Sequence, residues 1–179
     1  MGIDWGIDQT WTLFLDRDGV INERIMGGYV LDKSQFRFKE GAIESLGKLT
    51  NKFCHVFVVT NQQGVGLENM SEIELNEIHL HMTEQIHSNG GKISKVFSAT
   101  ELKNEQSQMR KPKSKMALMA QKEFPEVNFE KSIMVGDTDS DILFGKKLGM
   151  KTVLILTEEK TSEKPDIIVN SLHELNNLI

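Results

Sequence analysis

Asp16 and Asp18 stand two residues apart at the end of an apolar run, Trp11 to Leu15, and Asp137 and Asp141 follow another, Ser132 to Val135. Carboxylates crowded at the ends of buried strands repel one another unless a cation or a proton intervenes. A hard cation with oxygen ligands answers that excess, and magnesium is the usual one, because it takes one or two carboxylates, keeps waters and accepts a phosphate oxygen. Thr60, just after the apolar run Cys54 to Val59, adds a hydroxyl donor, and Lys111 adds a compact positive charge. These groups suit phosphoryl transfer, whose catalysis is mostly positioning and electrostatic stabilisation of the equatorial oxygens. A carboxylate can act as nucleophile in this step, forming an acyl-phosphate that water later breaks. A second carboxylate two residues on could protonate the leaving alcohol and afterwards deprotonate that water. Gly19 lets backbone approach a phosphate closely.

Such residues need a frame that brings distant positions together. Short β-branched or aromatic runs at Trp11 to Leu15, Cys54 to Val59, Val96 to Ser98, Ser132 to Val135 and Thr152 to Leu156 predict strands of a parallel sheet buried on both faces. Between them, Ala42, Ile43, Leu46 and Leu49 recur at helical spacing, as do Leu75, Ile78, Met82 and Ile86, and later Met116, Met119 and Ala120. Gly90-Gly91 and Gly149 stand where a left-handed helix cap is wanted. The alternation predicts an α/β fold with a doubly wound, Rossmann-like parallel sheet. Ligands of such sheets bind beyond the carboxyl ends of the strands, where strand order reverses. At 179 residues, one domain over 1–179 is expected, with 1–10 as an N-terminal extension. The intervals from Asp18 to Thr60 and from Asn61 to Lys111 hold only a loop, a helix and a strand each, too little for an inserted cap domain of about 50 residues. An open site is therefore expected, screened by the loops Asn22 to Arg37 and Ser98 to Met109.

Composition narrows the classes further. The formal charge of -5 comes with no basic run or stripe, so no nucleic-acid partner is expected. A single cysteine, Cys54, within an apolar run reads as a small buried hydrophobe and fits a reducing cytoplasm. No basic-then-apolar segment opens the chain and no apolar stretch approaches about 18 residues, so neither export nor a membrane is expected. A cytoplasmic monomer acting on a small phosphorylated metabolite is the expectation. His79, His81 and His87 lie on or after one helical segment, and spacing of two does not put His79 and His81 on one face, so a solvated role is expected for them. The nine methionines fit core gap-filling.

The segment Leu13-Phe14-Leu15-Asp16-Arg17-Asp18-Gly19-Val20-Ile21-Asn22 resembles the first signature of the haloacid dehalogenase superfamily of phosphatases. Thr60-Asn61-Gln62 with Gly64, Arg110-Lys111-Pro112-Lys113, and Val135-Gly136-Asp137 with Asp141 resemble the other three, in order. The resemblance implies a haloacid dehalogenase-like phosphatase in which Asp16 is the nucleophile and a metal ligand. It further implies that Asp18 is the general acid/base and a ligand through its backbone carbonyl, that Asp137 is a further ligand, and that Thr60, Asn61 and Lys111 hold the phosphate. Asp141 would support the metal from behind, or serve as a helix N-terminal charge.

Longer phrases, Gly28-Tyr29-Val30, Phe36 to Gly41, Thr60 to Gly66 and Arg110-Lys111-Pro112, resemble the histidinol-phosphatase and D-glycero-D-manno-heptose-1,7-bisphosphate phosphatase group. The Gly-Tyr-Val phrase is closer to the heptose branch, which implies a heptose 1,7-bisphosphate 7-phosphatase. Histidinol-phosphate phosphatase and a catalytically idle binding domain of the same fold are the alternatives, and a polynucleotide end phosphatase lacks its basic track. Tyr29 and Arg110 are the candidates for touching the non-phosphate part of the substrate. Members of this group commonly carry a zinc loop before the Arg-Lys-Pro signature. Ser98 to Met109 contains no cysteine or histidine, so no zinc is expected.

Overall fold

The computed structural model describes residues 2–179 of the chain; Met1, and with it the start of the 1–10 extension, lies outside the described residues. Six strands form one parallel sheet: β1 (Thr12–Leu15), β2 (His55–Asn61), β3 (Lys95–Ala99), β4 (Ser132–Gly136), β5 (Lys151–Ile155) and β6 (Ile167–Val169), in the spatial order β3-β2-β1-β4-β5-β6. All five predicted strands are present, shifted by a residue or so at their ends. Helices α1 (Ala42–Leu49), α2 (Glu72–Ser88), α3 (Lys115–Glu123), α4 (Asp139–Lys147) and α5 (Leu172–Leu178) cover the two faces.

Side chains alternate across a strand, so β1 feeds two cores at once. Leu13 and Leu15 enter the layer shared with Leu46 and Leu49 of α1, Ile78, Met82 and Ile86 of α2, and Leu172 and Leu175 of α5. Phe14 points the other way, against Phe57, Phe97, Met116 and Ala120 of α3 and Phe144 of α4. Burial on both faces explains why these strands read as continuous apolar runs. Ser71 opens α2 with a reciprocal capping box to Glu74. Gly90 and Gly149 take the left-handed conformation expected of them.

Two elements carried no sequence signal. β6 has only three residues with an exposed centre, and α5 only seven. Residues 2–10 form neither helix nor strand, and are tied down by Ile3 N donating to Leu178 O at 2.7 Å and by Trp5 and Ile7 packing on the core. Cys54 is half-buried rather than enclosed. Among the described residues, no helix is long and apolar enough to cross a membrane.

Strand order reverses between β1 and β4, which run side by side with Leu15 opposite Val135. Asp16 extends that ladder, its N–H donating to Val135 O at 2.9 Å. The carboxyl ends of β1, β2 and β4 therefore deliver Asp16, Asn61 and Asp137 to one edge of the sheet.

Candidate active site

Asp16, Asp137 and Asp141 are all buried, and a carboxylate oxygen of each lies within 4.8 Å of the others. Burial raises the Asp16 carboxyl strongly, Lys111 opposes the rise, and Asp141 and Asp137 reinforce it, leaving the group at about 7. Lys111, expected to hold phosphate, is no solvated lysine. Its Nζ donates to Asp16 Oδ1 at 2.8 Å and to the Val59 carbonyl at 2.7 Å, and stands 2.6 Å from Asp141 Oδ1 as an ion pair. Burial disfavours this charge, but Asp141 and Asp16 more than offset it and hold the ammonium above its ordinary range.

Asp141 takes the helix N-terminal place that was one of its two readings. Its Oδ2 accepts from the backbone N–H and hydroxyl of Thr138 in a capping box at the start of α4, while Oδ1 pairs with Lys111. Asp141 thus joins the start of α4 to the Lys111 ammonium. Gly136 makes this possible, since a Cβ there would lie 2.1 Å from Asp141 Cβ. Gly19, at φ 89°, likewise lies so close to Asp137 that a Cβ would sit 2.0 Å from Oδ2. Its smallness admits a carboxylate of the site.

Asp18 is held by donors on both oxygens. Oδ1 accepts from Arg17 Nη2 at 3.0 Å and Asn22 Nδ2 at 2.9 Å, and Oδ2 from Gln62 Nε2 at 2.7 Å. Burial pushes this carboxyl up, but Arg17 and the hydrogen bonds from Asn22, Arg17 and Gln62 prevail and keep it below the usual range. Arg17 is wholly buried and also reaches His79 Nε2 at 3.2 Å. The solvated role expected of His79 is therefore corrected: it is buried behind Asp18, where burial and then Arg17 push its imidazole down to about 3. A neutral ring can accept the guanidinium hydrogen, which a protonated one could not. His81 is half-buried and His87 exposed.

Asn61 lines the cavity above Asp16, and both Asn61 and Thr60 have protein partners at this edge of the sheet. The Asn61 carboxamide brackets the Lys111 backbone, accepting from its N–H at 2.9 Å and donating to its carbonyl at 3.3 Å. Its side chain thus fixes the approach of Lys111. The Thr60 hydroxyl is buried and accepts from Gln62 Nε2 at 2.8 Å, and Thr60 is not among the residues lining the cavity above Asp16.

That cavity, of about 580 Å³, has Asp16, Asp18 and Lys111 at its base and Tyr29, Arg110, Lys103 and Lys160 on its walls. Tyr29 Oη accepts from Gln63 Nε2 at 2.7 Å. Arg110 presents Nη1, a buried donor without a partner among the described residues. The wall formed by Ser98 to Met109 is organised by Glu101, whose Oε2 accepts from Ser107 Oγ, Gln108 N and Met109 N.

An all-oxygen donor set fits magnesium better than zinc. Asp137 is fully buried, and Arg24 lays its guanidinium against the Asp137 carboxylate at 2.8 and 3.2 Å and against the Asp18 carbonyl at 3.0 Å. This position already attracts a positive charge, so the residues fit a cation there. Arg17, Asn22, Arg24 and His79 were given no task by the sequence. Arg17 and Asn22 lie inside the first signature, which was their only signal; Arg24 and His79 carried none.

The HAD-hydrolase-like family model matches residues 108–175. The D-glycero-alpha-D-manno-heptose-1,7-bisphosphate 7-phosphatase of Mycobacterium bovis is 39% identical over 132 residues, which cover 74% of this chain and 70% of the relative. The D-glycero-beta-D-manno-heptose-1,7-bisphosphate 7-phosphatase of Pasteurella multocida is 34% identical, covering 93% of this chain and 95% of the relative. Among solved structures, D,D-heptose 1,7-bisphosphate phosphatase from B. bronchiseptica, complexed with magnesium and phosphate, shares the fold. Its TM-score is 0.81 at 21% identity, over 93% of this chain and 96% of that one.

Proposed function

The chain belongs to the haloacid dehalogenase-like phosphatases of the heptose-1,7-bisphosphate 7-phosphatase family, and from that premise we propose that it hydrolyses a heptose 1,7-bisphosphate through an aspartyl-phosphate on Asp16. The observation that carries the reading is the buried Asp16–Lys111–Asp141 cluster opening into a cavity walled by Arg110 and Lys103. Lys111 holds Asp16 Oδ1, so Oδ2 is the oxygen left to attack phosphorus. The P–O bond to the sugar breaks as the acyl-phosphate forms, and Asp18 gives a proton to the leaving alkoxide. Asp18 starts ionised and takes that proton from solvent as the substrate binds, because the phosphate dianion beside it raises its proton affinity. In the second half Asp18 takes the proton of a water that attacks the acyl-phosphate and frees Asp16. Asp16 and Asp137, with the Asp18 backbone carbonyl, would hold magnesium, which supplies positive charge to the transferring phosphoryl group. Lys111 adds charge of the same sign at the base of the site. Glu101 organises the loop in which related phosphatases commonly carry zinc ligands, so no zinc is needed.

Substrate choice is tested by phosphate release from both anomers of heptose 1,7-bisphosphate, from histidinol phosphate and from simple esters, with and without magnesium. A bisphosphate offers a second anion to the unpartnered Arg110 Nη1, whereas histidinol phosphate offers none. Arg110→Ala should lower kcat/KM for the bisphosphate at least about tenfold more than for a monophosphate ester. Equal losses would place Arg110 on the transferring phosphate, and a parent that prefers histidinol phosphate would sink the sugar assignment.

Magnesium binding should also depend on pH. An Asp16 carboxyl at about 7 is protonated below that pH and must lose its proton to become a ligand. Apparent magnesium affinity should therefore fall by up to about tenfold per unit below pH 7. Calorimetry at pH 6 in two buffers of different ionisation enthalpy should reveal proton release, and its absence would contradict this role for Asp16. Stoichiometric zinc in the purified protein would contradict the reading of the Ser98 to Met109 loop.

A further inference from the structure

Arg24 lies on the loop after β1, 113 residues from Asp137 in sequence. Its Nη2 is 2.8 Å from Asp137 Oδ1, 3.0 Å from the Asp18 backbone oxygen and 3.9 Å from Asp16 Oδ2, while Nε is 3.2 Å from Asp137 Oδ2. The Asp137 and Asp18 oxygens are among those to which the proposed function gives the divalent ion, and Asp16 Oδ2 is the one it gives to phosphorus. A surface ion pair would leave its carboxylate solvated, but the Asp137 side chain is 0% exposed, and both of its oxygens face the guanidinium fork.

Magnesium binds oxygens at about 2.0–2.1 Å and uses the lone pairs that accept these N–H groups. Two positive charges a few ångströms apart in a water-poor site also repel strongly. The two cations therefore cannot share these ligands. The Arg24 side chain is 28% exposed and borders both the cavity above Asp16 and a neighbouring one of about 310 Å³. Glu159 Oε1 stands 3.9 Å from Nε, on the outer side, as an alternative partner. The guanidinium has somewhere to go and a carboxylate to meet there.

We infer that Arg24 is a tethered cation that competes with the divalent ion for the oxygens of Asp137 and the Asp18 carbonyl, and withdraws toward Glu159 when the ion binds. The inference rests on the metal site of the proposed function. It makes the measured magnesium affinity the intrinsic affinity reduced by the fraction of molecules in which the guanidinium is withdrawn. It also gives the carboxylate cluster a neutralising charge whenever magnesium is scarce.

The test titrates magnesium alone into EDTA-stripped wild type, Arg24→Gln and Arg24→Lys by calorimetry, and records the melting temperature of each with EDTA and with saturating magnesium. Arg24→Gln should bind magnesium on the order of tenfold more tightly or better, as removal of a mostly docked competitor requires. In EDTA it should melt below wild type, and saturating magnesium should narrow that gap. Arg24→Lys, which keeps a charge but loses the planar fork, should fall between the two. Equal affinities, with melting lowered to the same extent in both conditions, would make Arg24 a loop brace and overturn the inference. Weaker binding by Arg24→Gln would mean that the guanidinium supports the bound ion, which overturns it as well. Magnesium binding by none of the three proteins would take down the metal site itself, and the inference with it.

Discussion

Asp16→Asn should lower phosphatase turnover by at least about three orders of magnitude while the protein keeps its fold. The amide preserves shape and can still accept from Lys111 Nζ, now 2.8 Å from Oδ1, but it has no nucleophilic oxygen anion and no charge to offer a cation. Stability should not fall. Burial and the neighbouring Asp141 and Asp137 all disfavour the Asp16 anion, so a neutral side chain relieves repulsion in the cluster. Steady-state phosphate release and circular dichroism, with and without magnesium, measure the two halves of this expectation. Activity within tenfold of the parent would point to another nucleophile or to direct attack by water.

Lys111→Met should fail differently, losing activity and stability together. The ammonium is enclosed, with the side chain 1% exposed, and it is the partner of two buried carboxylates, Asp16 and Asp141. Removing one member of a buried ionic cluster leaves charges without compensation, at a cost of about 3–5 kcal/mol. For a protein of this length that corresponds to a melting temperature lower by roughly 10 °C. The pH dependence gives a sharper signature. Burial has already raised Asp16, and losing Lys111, its strongest opposing influence, raises it further above its unfolded value. A group raised in the folded state contributes stability that is full below the unfolded pKa and lost as pH rises through the folded one. The deficit of Lys111→Met should therefore be small near pH 4 and grow toward pH 8. Adding Asp141→Asn should return part of the stability and none of the activity, because the amide removes one uncompensated charge but supplies no ammonium. A Lys111→Met protein that melts within about 3 °C of wild type at pH 8 would contradict the cluster's geometry.

The chemistry of the site was legible in sequence because its main members sit at strand ends. Apolar runs identify strands buried on both faces, and in a doubly wound sheet the polar residues that follow such runs must meet at one edge. That reasoning placed Asp16, Asp18, Asp137 and Lys111 together and found every strand except β6, whose three residues are too few to show a period. It did not reach contacts that depend on where a partner side chain lies. Neither the brace of Asn61 on the Lys111 backbone nor the contact of Thr60 with Gln62 has a signature in the local pattern. His79 was read as solvated because its spacing to His81 excludes a shared face, but Leu75, Ile78, His79 and Met82 all lie on the buried side of α2.

By itself, then, the sequence determined the sheet, the strand ends that carry carboxylates and the class of reaction those carboxylates can perform, since each of these follows from local composition and short-range period. The tertiary structure alone decided which partner each buried cation meets. Arg17 reaches His79 across 62 positions, Lys111 reaches Asp16 across 95 and Arg24 reaches Asp137 across 113. Periodicity reports which face of an element is buried, but the partner of a buried charge is fixed by how separate elements pack and how far a long side chain extends from its loop. Arg24 has neighbours in the chain that say nothing of Asp137, and only the parallel pairing of β1 with β4 at the switch point brings the two within hydrogen-bonding distance.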